Sequence, residues 1–60
     1  MTIFEYNIQE TEDSKVISVI QRADSREEAD KIIHEKYPNY YSIIISGYYD
    51  DSGFHRILKK

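Results

Sequence analysis

Residues 25–38, SREEADKIIHEKYP, predict one short amphipathic helix with defined ends, around which the rest of the chain can be arranged. The hydroxyl of Ser25 can accept a hydrogen bond from the amide of Glu28, whose carboxylate can reach back to the amide of Ser25, as in a capping box. The apolar side chains fall on one face of the helix: Ala29, Ile32, Ile33 and Tyr37. Pro38 ends the helix because proline disfavours helical geometry at the preceding residue. The predicted helix is Arg26 to Lys36.

Four segments around this helix have the alternation or the β-branched content of strands. They are Thr2–Gln9, Lys15–Ala23, Tyr40–Tyr49 and Phe54–Leu58. A polar connection joins the first two segments, and the turn sequence Asp50-Asp51-Ser52-Gly53 joins the last two. The order is β-β-α-β-β, which predicts an α+β fold in a single domain, residues 1–60, with the helix packed on a four-stranded antiparallel sheet. We expect the strand order 2-1-3-4, with one face of the sheet uncovered.

The inward side chains of the second strand can be assigned in two ways. We favour an inward set of Ile17, Val19, Gln21 and Ala23, which leaves Val16 and Ile20 on the uncovered face. The same alternation in the third strand points Tyr41, Ile43, Ile45 and Tyr49 inward. It points Tyr40, Ile44 and Tyr48 outward.

Tyrosine is the unusual component of the composition. Ten isoleucines and six tyrosines supply 16 of the 24 apolar residues in a chain of 60. We expect four tyrosines to replace missing leucines in the core: Tyr6, Tyr37, Tyr41 and Tyr49. Outward aromatic and isoleucine side chains would form a contact surface, consisting of Tyr40, Ile44, Tyr48, Val16 and Ile20.

Composition excludes several classes of protein. The chain contains no cysteine, which rules out disulfides, cysteine-ligated metals and thiol catalysis. Its net charge of −3 has the wrong sign for general affinity to nucleic acids. No run approaches the roughly 20 apolar residues of a membrane-spanning helix, and the first residues lack the pattern of a signal segment. We therefore expect a cytoplasmic protein without membrane contact.

Residues that could support catalysis are few. His34 is expected on the solvated face of the helix, and His55 follows Asp50 and Asp51 closely enough for an Asp–His pair. Two histidines without a third partner are weak evidence for a metal site. No serine lies in a nucleophile elbow, and no glycine-rich phosphate loop is present. The sequence predicts no enzyme, no metal and no cofactor.

Several segments together are similar to a known family. The segments are Ile8-Gln9-Glu10-Thr11, a second strand ending at Ala23, Ser25-Arg26-Glu27-Glu28-Ala29, and Ile32-Ile33 followed by Tyr37 and an apolar strand. In these the chain resembles the small DpnD/PcfM-like proteins of plasmids, phages and bacterial accessory loci. The resemblance extends over nearly the whole chain. It implies a cytoplasmic accessory protein of bacterial or phage origin, without catalytic residues to carry over.

Two functional hypotheses follow. The first is a non-enzymatic module that binds another protein, or itself as a homodimer, through the uncovered face or an edge strand. The second is single-stranded nucleic-acid binding, with Tyr40 and Tyr48 as stacking platforms. Phosphate contacts would come from Arg56, Lys59 and Lys60. The acidic Asp50 and Asp51 beside the aromatic residues favour the protein partner.

Overall fold

A computed structural model describes residues 2–57 of the chain. These residues form four strands and one helix in the predicted order. The strands are β1 (Thr2–Gln9), β2 (Ile17–Ala23), β3 (Ser42–Asp50) and β4 (Gly53–Arg56), and the helix α1 is Arg26–Lys36.

The strands form one antiparallel sheet in the order β2-β1-β3-β4, which confirms the predicted α+β topology. Helix α1 covers one face of this sheet, which we call the inner face, and it lies closest to β2. The opposite face, the outer face, is not covered by any element of residues 2–57.

The ends of α1 follow from its capping residues. Ser25 has an extended backbone, and its hydroxyl accepts a hydrogen bond from the amide of Glu28 at 3.2 Å. The Glu28 carboxylate accepts from the amide of Asp24 at 2.9 Å, so the return bond reaches one residue further back than predicted. At the other end the amide of Tyr37 donates to the Ile33 carbonyl. The chain then turns through Asn39, whose φ is 66°.

The core lies between α1 and the inner face. Its buried members come from β1, the end of β2, the helix and β3: Phe4, Tyr6, Ile8, Ala23, Ala29, Ile33 and Ile45. The favoured facing of β2 is confirmed at Ala23, which is buried, and at Val19, which packs against the core. Ile17 pairs with the inward Ile8, yet it is 51% exposed.

A register shift in the β1–β3 pair reverses the predicted facing of two tyrosines. Tyr6 pairs with Ile45, but Glu5 pairs with Gly47, so Ser46 is an extra residue in β3. An extra residue of this kind, a β-bulge, interrupts the alternation of side chains. The predictions for Tyr48 and Tyr49, which follow the bulge, are therefore wrong.

Tyr48 lies on the inner face, where it packs against the core and its ring centre is 6.2 Å from that of Phe4. Tyr49 lies on the outer face and is 40% exposed. The two residues have thus exchanged the roles that strict alternation assigned to them.

The facing predicted for Tyr40 and Tyr41 is also wrong. Strand β3 begins at Ser42, so its alternation does not govern these two residues. Tyr40 packs against the core, with its ring centre 5.2 Å from that of Tyr37. Tyr41 is 60% exposed, and its amide donates to the Glu10 carbonyl. The core positions predicted for Tyr6 and Tyr37 are confirmed.

Candidate functional site

The outer face carries a group of exposed apolar side chains. Successive residues of a strand point to opposite faces, so the register places five apolar residues together on this side. We call them the outer apolar cluster: Ile3, Ile20, Ile44, Tyr49 and Phe54. Four members are substantially exposed, at 64% for Ile20, 46% for Ile44, 40% for Tyr49 and 44% for Phe54. Grouped apolar side chains on a protein surface are typical of interaction sites.

The aromatic end of this cluster depends on a glycine. The rings of Tyr49 and Phe54 are 4.9 Å apart and tilted by 53°. Phe54 lies across Gly47, where an added Cβ would overlap the Phe54 ring and the backbone oxygen of His55. A glycine inside a strand often marks a bulge or a close backbone approach, and Gly47 marks both.

Charged residues on the outer face are of both signs. Glu5 lies near its centre, paired with Ile20 on one side and with Gly47 on the other. Arg22 and Arg56 lie in the edge strands β2 and β4. The face therefore combines apolar side chains with one carboxylate near its centre and two guanidinium groups at its edges.

Strand β2 is one of the two edge strands of the sheet, and it has few of the features that protect an edge from pairing with another strand. Its pairing with β1 is regular over all seven residues. It contains no proline, and Arg22 is its single charged residue. Ile17 and Ile20 are 51% and 64% exposed, and Val16 just before the strand is 59% exposed. Edge strands are ordinarily protected by charge, proline, bulges or a cover.

The predicted contact surface is thus partly reassigned. Val16, Ile20 and Ile44 are exposed as predicted, whereas Tyr40 and Tyr48 belong to the inner side and pack on the core. Their places on the outer face are taken by Tyr49 and Phe54.

His55, beside the β3–β4 turn, contacts residues of β3. Nε2 of His55 lies 2.9 Å from the Asp50 carboxylate, and its ring stacks on Tyr48 at 4.8 Å. The Asp50 carboxylate also accepts a hydrogen bond from the amide of Ser52. This bond, and to a smaller extent the bond to His55, lowers the pKa of Asp50. The turn closes at Gly53, whose φ of 108° suits glycine. This geometry holds β4 against β3.

Other chemical features of the described residues are sparse. No group of three or more His, Asp or Glu side chains within residues 2–57 could hold a metal ion. A polar depression beside the turn is lined by Thr2, Asp50, Asp51 and Ser52. His34 is exposed in the last turn of α1.

Comparison with known proteins does not assign the chain to a family, since no family model, curated protein or solved structure matches it. Within the described residues, no helix has the length and apolar character needed to cross a bilayer.

Proposed function

We propose that this protein is a non-enzymatic interaction domain that binds a second copy of itself, forming a homodimer. The observation that supports the proposal is the outer apolar cluster, in which four large side chains are 40–64% exposed on one face of the sheet. Burial of apolar surface contributes about 25 cal/mol per Å². Association therefore has a substantial source of free energy at this surface.

The small size of the chain is a second reason to expect association. A chain of 60 residues buries only about 60% of its unfolded surface by itself, so a second copy would complete its burial of apolar groups.

The charges favour a second copy over an unrelated partner. A two-fold symmetric contact uses the same surface on both subunits. A surface that carries Glu5 together with Arg22 and Arg56 offers opposite charges to its own copy. Association of two such surfaces is consistent with the moderate net charge of −3.

The test uses Ile20, which belongs both to the outer face and to the β2 edge. We expect Ile20→Lys to lower the molar mass in solution from dimer to monomer, because an ammonium group at a dry contact is costly. Tyr41→Lys is the matched control, since Tyr41 is equally exposed at 60% but lies outside the sheet. Light scattering coupled to size exclusion measures both. Equal masses for the two variants would overturn the proposal.

The cellular setting is part of the proposal and rests on the resemblance to DpnD/PcfM-like proteins. A small homodimer without catalytic groups suits a cytoplasmic accessory protein of a bacterium or phage. The predicted absence of enzyme activity belongs to the same proposal.

A second candidate function, single-stranded nucleic-acid binding, is favoured by one observation. Tyr49 and Phe54 are exposed side by side on the outer face, and bases stack on such rings. Arg22 and Arg56 lie on the same face, whereas Lys59 and Lys60 are outside the described residues. Fluorescence anisotropy with mixed-sequence oligonucleotides at low salt tests it. Binding that is lost in Tyr49→Ser would support this candidate, and an unchanged anisotropy would exclude it.

A further inference from the structure

We infer that the two copies join by antiparallel pairing of their β2 edges, in a register centred on Ile20, to give one continuous eight-stranded sheet. This inference rests on the proposed self-association and specifies its geometry.

The free edge of β2 is the first line of support. An edge strand presents unpaired backbone N–H and C=O groups, which form a template for another strand. The seven residues of β2 pair regularly with β1, so the opposite edge is straight and equally long. The other edge, β4, has four residues and offers a shorter ladder.

Side-chain exposure is the second line. Three of the most exposed apolar side chains of residues 2–57 lie along or just before β2: Val16 at 59%, Ile17 at 51% and Ile20 at 64%. Addition of a strand beside β2 would cover them. Such pairing covers Ile20 of the outer apolar cluster and leaves its β3 and β4 members on one face of the joined sheet, whereas a contact confined to the middle of the outer face would leave Val16 and Ile17 in water.

The register between the two β2 strands follows from the requirement that all of their residues pair. Ile20 is the central residue of β2, so a two-fold axis at Ile20 pairs all seven residues with the partner strand. Ile20 then faces Ile20 of the partner subunit on the outer side of the sheet. Ser18 faces Arg22 of the partner subunit, which keeps the two arginines apart. Apolar pairs directly opposite each other stabilise a sheet.

Charge at the ends of the strand fixes the direction. Lys15 precedes β2 and Asp24 follows it. Antiparallel pairing brings the end that carries Lys15 to the end that carries the partner's Asp24, so unlike charges meet at both ends. Parallel pairing would instead place like charges together, which is unfavourable.

The absence of cysteine from the sequence makes a direct test possible, because a single introduced cysteine can form disulfides only between copies. In the inferred register, Ile20→Cys places two thiols directly opposite, at about the 4 to 5 Å between Cβ atoms that a disulfide can close. Ser18→Cys is the matched control on the same strand and face, but its two thiols would be about 13 Å apart, a separation of four residues. We expect mild oxidation to cross-link Ile20→Cys at least tenfold faster than Ser18→Cys.

Other outcomes are also decisive. Faster cross-linking of Ile44→Cys than of Ile20→Cys would show that the copies pack face to face and not edge to edge. Equal cross-linking rates at positions 18 and 20 would overturn the register. In the unmodified protein, a mixture of isotope-labelled and unlabelled copies should show contacts between Ile20 side chains by NMR. Absence of these contacts in a dimer overturns the inference, whereas a monomeric mass overturns the proposed function itself.

Discussion

The two faces of the sheet are built from the same strands and have opposite environments. In β1, Phe4, Tyr6 and Ile8 lie under the helix with at most 6% exposure, while the alternate residues Ile3 and Glu5 face outward. One helix of eleven residues can cover one face. The apolar residues of the inner face are therefore buried by the chain itself, whereas those of the outer face can be buried only by a second molecule.

Truncation of one isoleucine on each face should change the free energy of unfolding by very different amounts. Ile8→Ala removes a fully buried side chain and should lower the free energy of unfolding by about 2–5 kcal/mol. Ile44→Ala, at 46% exposure, should cost less than about 1 kcal/mol in the monomer. Urea denaturation at one fixed protein concentration measures both, because dimerisation makes stability depend on concentration. Equal losses would contradict the assignment of the faces.

The next effect tests the close approach on the outer face. Gly47→Ala places a methyl group where the Phe54 ring and the His55 carbonyl already lie. Because β4 must shift to make room, we expect a loss of about 1–3 kcal/mol in the free energy of unfolding. Ser52→Ala, in the exposed turn between β3 and β4, is the control and should change stability by about 0.5 kcal/mol or less. A neutral Gly47→Ala would show that Phe54 does not lie across this residue.

The smallest effect concerns the polar contact of the inner face. The Tyr6 hydroxyl donates a hydrogen bond of 2.5 Å to the Asp30 carboxylate. Tyr6→Phe removes this bond and should cost about 1.5 kcal/mol at neutral pH. Burial, and then the bond to Asp30, raise the pKa of Tyr6 above its ordinary value.

The raised pKa predicts a specific dependence on pH. The unfolded chain releases the Tyr6 proton near pH 10, while the folded chain retains it to higher pH. The contribution of Tyr6 is therefore complete below about pH 10 and is lost as the pH rises further, at about 1.4 kcal/mol per pH unit. Denaturation curves between pH 9 and 11 should show this extra loss in the unmodified protein and not in Tyr6→Phe. Parallel losses in both proteins would contradict the prediction.

Sequence patterns predicted the elements of this fold well because their signals are local. Ser25 and Pro38 mark the ends of the helix through chemistry within a few residues. The strand order 2-1-3-4 follows from short connections and from the one helix between the hairpins. These features need no knowledge of distant contacts.

The candidate site was predicted only in part because one residue changes the facing of those after it. Ile44 precedes the bulge in β3 and Ile20 lies in β2, so alternation predicted the exposure of both correctly. Tyr48 and Tyr49 follow Ser46, so strict alternation assigned them to the wrong faces. A β-bulge depends on pairing with β1, which lies some forty residues earlier in the chain. Gly47 inside a strand was the local signal that could have indicated it.

If the outer face and the β2 edge mediate self-association, the mass of the protein in solution depends on its concentration. Sedimentation equilibrium of the unmodified protein over a dilution series measures this mass. We expect a mass of about twice the 7.2 kDa of one chain at high micromolar concentration, with return to the monomer mass on dilution. A mass of 7.2 kDa at every concentration would rule out self-association.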